Sequence, residues 1–463
     1  MGGWVGRVKI PQWVAQGLLV LGLITVLALN WPGQMSYDSV MQLADGRSGH
    51  YDSWHPVVMA WLLGLFDALL AGPGLFLAFL VLLVGSAWFT LLRLGRPGIG
   101  AALALILIFL TPQLVLYQGT IWKDVLFADA AIAAFVALAA AAAYWEKTPA
   151  RAIWLGLSAL LLCLAALARQ NGFLLLPFAA LSLGAIAARK TSWRMGWYYG
   201  LGLIALSLVL LVLANFALNF RSDGGEGARA QFRLALIYDL VGAARLDPGI
   251  RFSALEEKAP RLDAAIREQG VPLYSARLVD TLETASGLQA EIGQTPLGVI
   301  FAAWRRLVLN HPGLYLKVRW PVFGWVVAPS DPLACHPDLV GVDGPKEVLA
   351  TLGLQAHIRP QDRFLYFYVA RFVGTPVLAH LAFAALALLF LVLLARRGDG
   401  PDLAIAGLLA ASLLFGLSFF VIAIACDYRY LYFLDMAAMT GALRYASCGA
   451  KPSSPGGPPH KAG

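Results

Sequence analysis

The stretch "WVAQGLLVLGLITVLALN", residues 13–30, runs without a charged side chain. An apolar run of about 18 residues or more is long enough to cross the hydrocarbon core of a bilayer as a helix. With the run at 11–30, comparable ones at 73–93, 97–117, 124–145, 151–168, 171–188, 196–219, 374–395, 402–425 and 429–446 predict about ten crossings. Lipid supplies no hydrogen bonds, so only helices and closed barrels span it. These runs are continuous rather than alternating, which excludes a barrel. Composition agrees. Of the 463 residues 59% are hydrophobic and 13% charged, against about 45–50% and about 25% in soluble domains. The expected fold class is an all-α polytopic membrane protein, with interfacial helices in the first outer loop and a mostly helical outer segment.

The formal net charge of +8 would suggest nucleic acid in a soluble chain. Here the basic residues sit in short clusters between apolar runs, which is the footprint of membrane topology, so no nucleic-acid partner is expected. One segment decides the orientation: "PVVMAWLLGLFDALLAGPG", from Pro56, is short, contains Asp67 and ends in a Gly-Pro-Gly turn. Read as an interfacial helix, it leaves Arg7, Lys9, Arg93, Arg96, Lys147, Arg151, Arg189, Lys190, Arg194, Arg396, Arg397, Lys451 and Lys461 at cytoplasmic ends. The short outer loops then hold Arg47, Lys123, Arg169 and Arg429. Read as a crossing, it would flip every later loop and put the cluster at 189–194 outside, against the positive-inside rule. Both termini are therefore expected in the cytoplasm, with the first run retained as a signal-anchor.

This topology divides the chain into a transmembrane module at 1–219 with an outer loop at 31–72, an outer segment at 220–373, further spans at 374–446 and a tail at 447–463. A connection as long as 220–373 should carry structure of its own. Its part "LGVIFAAWRRLVLNHPGLYLKVRWPVFGWVV" mixes Trp, Tyr and Arg with apolar residues, which suits the headgroup region. The tail, "KPSSPGGPPHKAG", reads as disordered. The four cysteines, Cys163, Cys335, Cys426 and Cys448, show no CxxC pairing. Cys335 and Cys426 can bridge if they share an oxidising compartment.

Four polar clusters fall on the outer side: Asp38, Asp52 and His55 in the first loop; Lys123 and Asp124 in "YQGTIWKDVLF"; Arg169, Gln170 and Asn171 in "ALARQNGFLL"; Asp427 and Arg429 in "ACDYRYLYF". Each has a plain structural reading. Ser36 or Asp38 caps a helix, Pro56 opens one behind His55, Asp124 sits in a first turn, and Arg429 anchors a span end. Together they fit another purpose. Cations on one face can hold a lipid-linked phosphate and stabilise the charge it develops, while a carboxylate takes the proton of an acceptor hydroxyl. The chain has no GxxxxGK[ST] loop, no HExxH and no GxSxG, so a nucleotide donor, a zinc protease and a serine hydrolase are disfavoured.

The order of these features resembles the GT-C superfamily of polyprenol-phosphate-dependent membrane glycosyltransferases, which contains protein mannosyltransferases and aminoarabinose transferases. The resemblance rests on an outer loop with an acid in "DSVMQLADG", the helix "WHPVVMAWLLGLFDALLAGPG", a span ending in "LLRLGRP", and an outer "KD" opening a later span. The segments "LARQNGFLLLP" and "DYRYLYF" resemble those of bacterial members. The resemblance implies Asp38 as general base, Lys123 and Asp124 contributing from a second loop, and His55 as a cap or acceptor contact. Side and charge, rather than the motif, nominate Arg169 and Arg429 for the donor phosphate. The first-loop acid is followed by Ser39 where many members carry a second acid, and Asp52 is the substitute at a different spacing. No metal or other cofactor is expected on that account, though a divalent ion stays open.

The resulting expectation is an inverting transfer from a polyprenyl-phosphate sugar to a hydroxyl of a glycolipid, glycan or protein, at the outer face of a bacterial cytoplasmic membrane. A flippase for lipid-linked saccharides is the alternative, but transporters gather polar groups near the midplane on broken helices. A non-catalytic subunit of an envelope polysaccharide complex would leave the four clusters idle.

Overall fold

A computed structural model describes residues 11–220, 222–335 and 339–448. Arg7, Lys9, Lys451, Lys461 and the tail from residue 449 lie outside the described residues. The chain is an all-α polytopic membrane protein, and among the described residues the only extended pairings are isolated bridges. Eight helices are long and apolar enough to span a bilayer. They are α1 (Gln12–Asn30), α4 (Gly74–Leu94), α7 (Lys123–Ala143), α8 (Thr148–Ala168), α9 (Leu175–Lys190, led in by a 3-10 turn at Gly172–Leu174), α10 (Trp193–Asn219), α15 (His380–Arg397) and α16 (Gly400–Ile422).

The other two expected spans take different forms. The run at 97–117 is broken into α5 (Ile99–Phe109) and the short α6 (Pro112–Val115), which continues into a 3-10 turn and bends by 65°. Pro112 causes the break, because proline has no N–H for the preceding turn and suits the first position of a new helix. The run at 429–446 becomes a 3-10 turn, Tyr428–Leu431, followed by the 16-residue α17 (Tyr432–Ser447). At about 1.5 Å per residue α17 falls short of a bilayer core of about 30 Å. It nevertheless runs from the end of the bundle near Asp427 to the opposite end, where Arg96 N–H donates to Ser447 O at 2.7 Å.

At the centre lies α7, "KDVLFADAAIAAFVALAAAAA", buried along almost its whole length. Its alanines let neighbouring helices approach closely, the usual basis of packing where lipid gives no hydrophobic drive. Helix α10 is the reverse case. Most of its apolar side chains are exposed, among them Trp197, Leu201, Val212, Leu213 and Phe216, as a lipid-facing helix requires.

Two helices before α4 are too short to span a bilayer core. Helices α2 (Tyr37–Ser48) and α3 (Val57–Leu69) form a hairpin at one end of the bundle, tied by Arg47, whose Nε and Nη2 each donate to Asp67 at 2.7 Å. The hairpin closes at Gly46 and Gly64, where a Cβ on either would lie 2.4 Å from a backbone oxygen of the other helix. The segment after α10 is helical. It holds α11 (Glu226–Leu246), the pair α12 (Leu297–Asn310) and α13 (Pro312–Val327), and α14 (Pro360–Ala370), with shorter helices and loops between. The ring of Trp320 on α13 meets Phe420 on α16 edge to face, so α13 packs along the end of a span. Cys335 and Cys426 form a disulfide.

Candidate functional site

Backbone pairing first brings distant loops together. Gln34 N–H donates to Gly119 O at 3.0 Å, and Ile121 N–H returns to Gln34 O at 2.9 Å. Met35 N–H donates to Gly341 O at 2.9 Å, and Asp343 N–H to Met35 O at 2.9 Å. The first loop is thereby held between the lead-in to α7 and the segment after α10. The buried Gln34 side chain locks this junction, accepting from Gly341 N–H at 2.6 Å and donating to Asp362 at 3.1 Å.

Ser36 is the N-cap residue of α2, yet its side chain caps nothing. Its hydroxyl instead accepts from the Trp122 indole N–H at 2.9 Å. Asp38, in the first turn, likewise looks away from its own helix. Its Oδ2 lies 2.8 Å from Arg429 Nη1 and its Oδ1 lies 3.7 Å from His55 Nε2. The plain capping reading of these two residues does not describe them.

The antiparallel packing of α7 and α8 puts the start of one beside the end of the other. Asp124, buried in the first turn of α7, therefore pairs with Arg169, the C-cap residue of α8. Arg169 also lies over the rings of Phe415, Phe419 and Tyr430 at 5.3–5.7 Å. Lys123 Nζ lies 3.4 Å from His55 Nδ1. A lysine ammonium can only donate, so Nδ1 accepts and the ring proton is on Nε2, facing Asp38. Asp427 caps the following 3-10 turn by accepting from Arg429 N–H at 3.2 Å, and its Oδ2 lies 2.6 Å from Arg429 Nε. The Arg429 guanidinium lies 5.2 Å from the Trp122 ring centre.

The structure thus brings Asp38, His55, Lys123, Asp124, Arg169 and Arg429 into one cluster at one end of the bundle. Asp52 is elsewhere. Its carboxylate accepts from Trp54 N–H at 2.8 Å, and it lines an open cavity with Asp45, Asp223 and Glu226. Trp122 and Tyr430 join the cluster without having been singled out, and Asp427, grouped with Arg429 in the sequence but given no role, joins it too. The neighbourhoods "IWKD" and "CDYRY" carried that signal.

Burial alone would raise the Asp38 carboxyl, but Arg429, His55 and Lys123 beside it hold it below the ordinary carboxylate value. Burial, reinforced by Lys123, drives His55 down to about 4, so its imidazole is neutral near pH 7. Burial also lowers Arg169 to about 10, which leaves it charged. In the cluster Lys123, Arg169 and Arg429 face Asp38, Asp124 and Asp427. Among the described residues no group of His, Cys, Asp and Glu is arranged to hold a metal ion.

No family model matches the chain, and no curated protein matches it. Among solved structures, the archaeal oligosaccharyltransferase AglB from Archaeoglobus fulgidus, in complex with an inhibitory peptide and a dolichol-phosphate, is similar at a TM-score of 0.43 and 13% identity. The likeness covers 93% of this chain and 50% of that one, so this chain spans about half the length of AglB.

Proposed function

We propose that this cluster transfers a sugar from a polyprenyl-phosphate donor to an acceptor hydroxyl at the outer face of a bacterial cytoplasmic membrane. The observation that carries the reading is the division of Asp38. Arg429 occupies one carboxylate oxygen, while the other lies 3.7 Å from His55 Nε2, too far for a hydrogen bond. That oxygen is available to accept a proton from an incoming hydroxyl. Held ionised beside cations, Asp38 is a base that needs no prior deprotonation.

In the proposed step the acceptor oxygen attacks C1 of the sugar, on the face opposite the phosphate. The C1–O bond to phosphate breaks, and the acceptor proton passes to Asp38. The leaving polyprenyl phosphate keeps the bonding pair and gains negative charge, which Lys123, Arg169 and Arg429 stabilise. No metal enters this scheme, and the lipid reaches the site sideways from the bilayer.

Two observations support the orientation. Arg93, Arg96, Lys147, Arg151, Arg189, Lys190, Arg194, Arg396 and Arg397 lie at span ends on the side of the bundle opposite the cluster, as expected of a cytoplasmic face. The disulfide ends at Cys426, next to Asp427, and disulfides persist in oxidising compartments.

The test is mass spectrometry of envelope lipids and glycans from a deletion strain, complemented with wild-type or Asp38→Asn protein. A glycoconjugate that loses a sugar and regains it only with wild type supports the transfer and names the acceptor. Full restoration by Asp38→Asn would remove Asp38 as the base and favour a carrier of lipid-linked sugars.

A further inference from the structure

One buried ion pair in the outer segment lies outside the cluster and is not used by the proposed chemistry. Arg319 on α13 is fully buried and pairs with the buried Asp239 of α11, Nη1 to Oδ1 at 2.8 Å. The second oxygen of Asp239 accepts from the Trp304 indole N–H of α12 at 2.8 Å. Taking such a pair out of water is costly unless every remaining donor finds a partner. Arg319 finds its partners on a transmembrane helix: Nε donates to Phe420 O and Nη2 to Ala423 O, both at 2.7 Å. These carbonyls belong to the last turn and C-cap of α16, where helix carbonyls lack partners and a cation is favoured.

Four residues beyond Ala423 comes Asp427, and Arg429 follows. The connection between them is fastened twice more to the outer segment. Cys426 N–H donates to Arg277 O at 2.8 Å, and the Cys426 side chain is covalently bound to Cys335. The Arg277 guanidinium in turn lies 5.9 Å from the Trp325 ring of α13. Helices α11, α12 and α13 and the disulfide thus converge on residues 420–426, immediately before the turn that aims Arg429 at Asp38.

We propose that the outer segment is the positioning frame of Arg429: Arg319 and the Cys335–Cys426 disulfide hold the 427–431 turn where its cation meets Asp38. Arg319 and Cys335 are positioning residues, acting on the cluster through the backbone of 423–427. The inference that this frame also sets the affinity for a donor phosphate rests on the function proposed above. A long outer segment then has a reason to be folded onto the span ends rather than to hang free.

The experiment combines amide hydrogen exchange with binding of undecaprenyl phosphate to the full chain in nanodiscs. It compares oxidised wild type, reduced wild type, Cys335→Ser and Arg319→Lys, the last keeping the charge against Asp239 but not the fork that reaches two carbonyls. Exchange at 426–431 should rise selectively in the reduced and substituted proteins, with undecaprenyl phosphate bound about tenfold more weakly, the worth of one displaced charge-assisted contact. Reoxidation of wild type should restore both. Unchanged exchange at 426–431 in Cys335→Ser and Arg319→Lys would overturn the frame, as would raised exchange with undiminished binding. A uniform rise in exchange across the bundle would also overturn it, since that marks general destabilisation. Should oxidised wild type bind no undecaprenyl phosphate while exchange still responds locally, the donor reading fails and the frame stands.

Discussion

Arg429 Nη1 lies 2.8 Å from Asp38 Oδ2, joining the first loop to the turn before the last helix. The pair separates two roles. Replacing Asp38 by Asn keeps the shape and a hydrogen-bond acceptor but removes the proposed base, so transfer should fall by about 10²–10⁴-fold, the usual worth of general-base catalysis. Binding of undecaprenyl phosphate should survive. Arg429→Lys should instead weaken that binding, because a point charge replaces a fork. Steady-state rates beside a direct binding curve check both, and equal loss of binding in the two variants would contradict the division.

His55 supplies a pH test. Its folded-state value is about 4 against an ordinary 6.5, set by burial and by Lys123. A depressed histidine favours the folded state in its neutral form. Its contribution is full above about pH 6.5 and is lost as the pH falls towards 4, by up to about 3 kcal/mol. The thermal midpoint in detergent should therefore drop between pH 6.5 and 4 for wild type and drop less for His55→Gln. Asp38 adds little in that window, since its lowered carboxyl titrates below it. Parallel curves for the two proteins would show that His55 is not the sensor.

Much of this arrangement was legible in the sequence because lipid imposes a simple rule: a crossing must be long, apolar and satisfied within itself. That rule marks every span from α7 to α10 and also sorts the loops by side, which is why Lys123, Arg169 and Arg429 could be grouped before any contact was seen. It is blind to breaks. Pro112 stood in plain view within the run at 97–117, but hydropathy averages over it. Asp435 and Arg444 likewise look like flaws in an apolar run until their partners appear: Asp435 meets His380 at 2.9 Å and Arg444 meets Asp402 at 2.6 Å. Asp52 and Asp427 show the limit from the other side. Both are acids close to a cluster residue in sequence, and only loop conformation sends one to Trp54 N–H and the other to Arg429. The Asp239–Arg319 pair joins residues far apart in the outer segment, and no spacing rule announces it.

The Asp402–Arg444 pair is fully buried. Arg444→Met should cost about 3–5 kcal/mol, because it leaves an uncompensated carboxylate. Adding Asp402→Leu removes that carboxylate, so the double variant should be more stable than Arg444→Met alone. A double-mutant cycle on chemical unfolding in detergent measures the coupling, and additive losses would show that the two groups do not depend on each other.

The hairpin crossing at Gly46 and Gly64 tests how tightly the first loop must pack to present Asp38 and His55. A methyl group at Gly46 would stand 2.4 Å from Ala60 O and 2.7 Å from Gly64 N, both backbone atoms that cannot rotate away. Gly46→Ala must therefore push α2 off α3, at a cost of about 1–3 kcal/mol for overpacking. Because Asp38 opens one arm of that hairpin and His55 lies in the loop that leads into the other, the shift should widen their 3.7 Å separation and lower the rate of transfer more than the affinity for undecaprenyl phosphate. Gly156→Ala on α8 is the control, since no atom lies within 4 Å of the new methyl and it should leave α2 in place. If Gly46→Ala matches wild type in both melting and rate, the crossing does not set the geometry of the site.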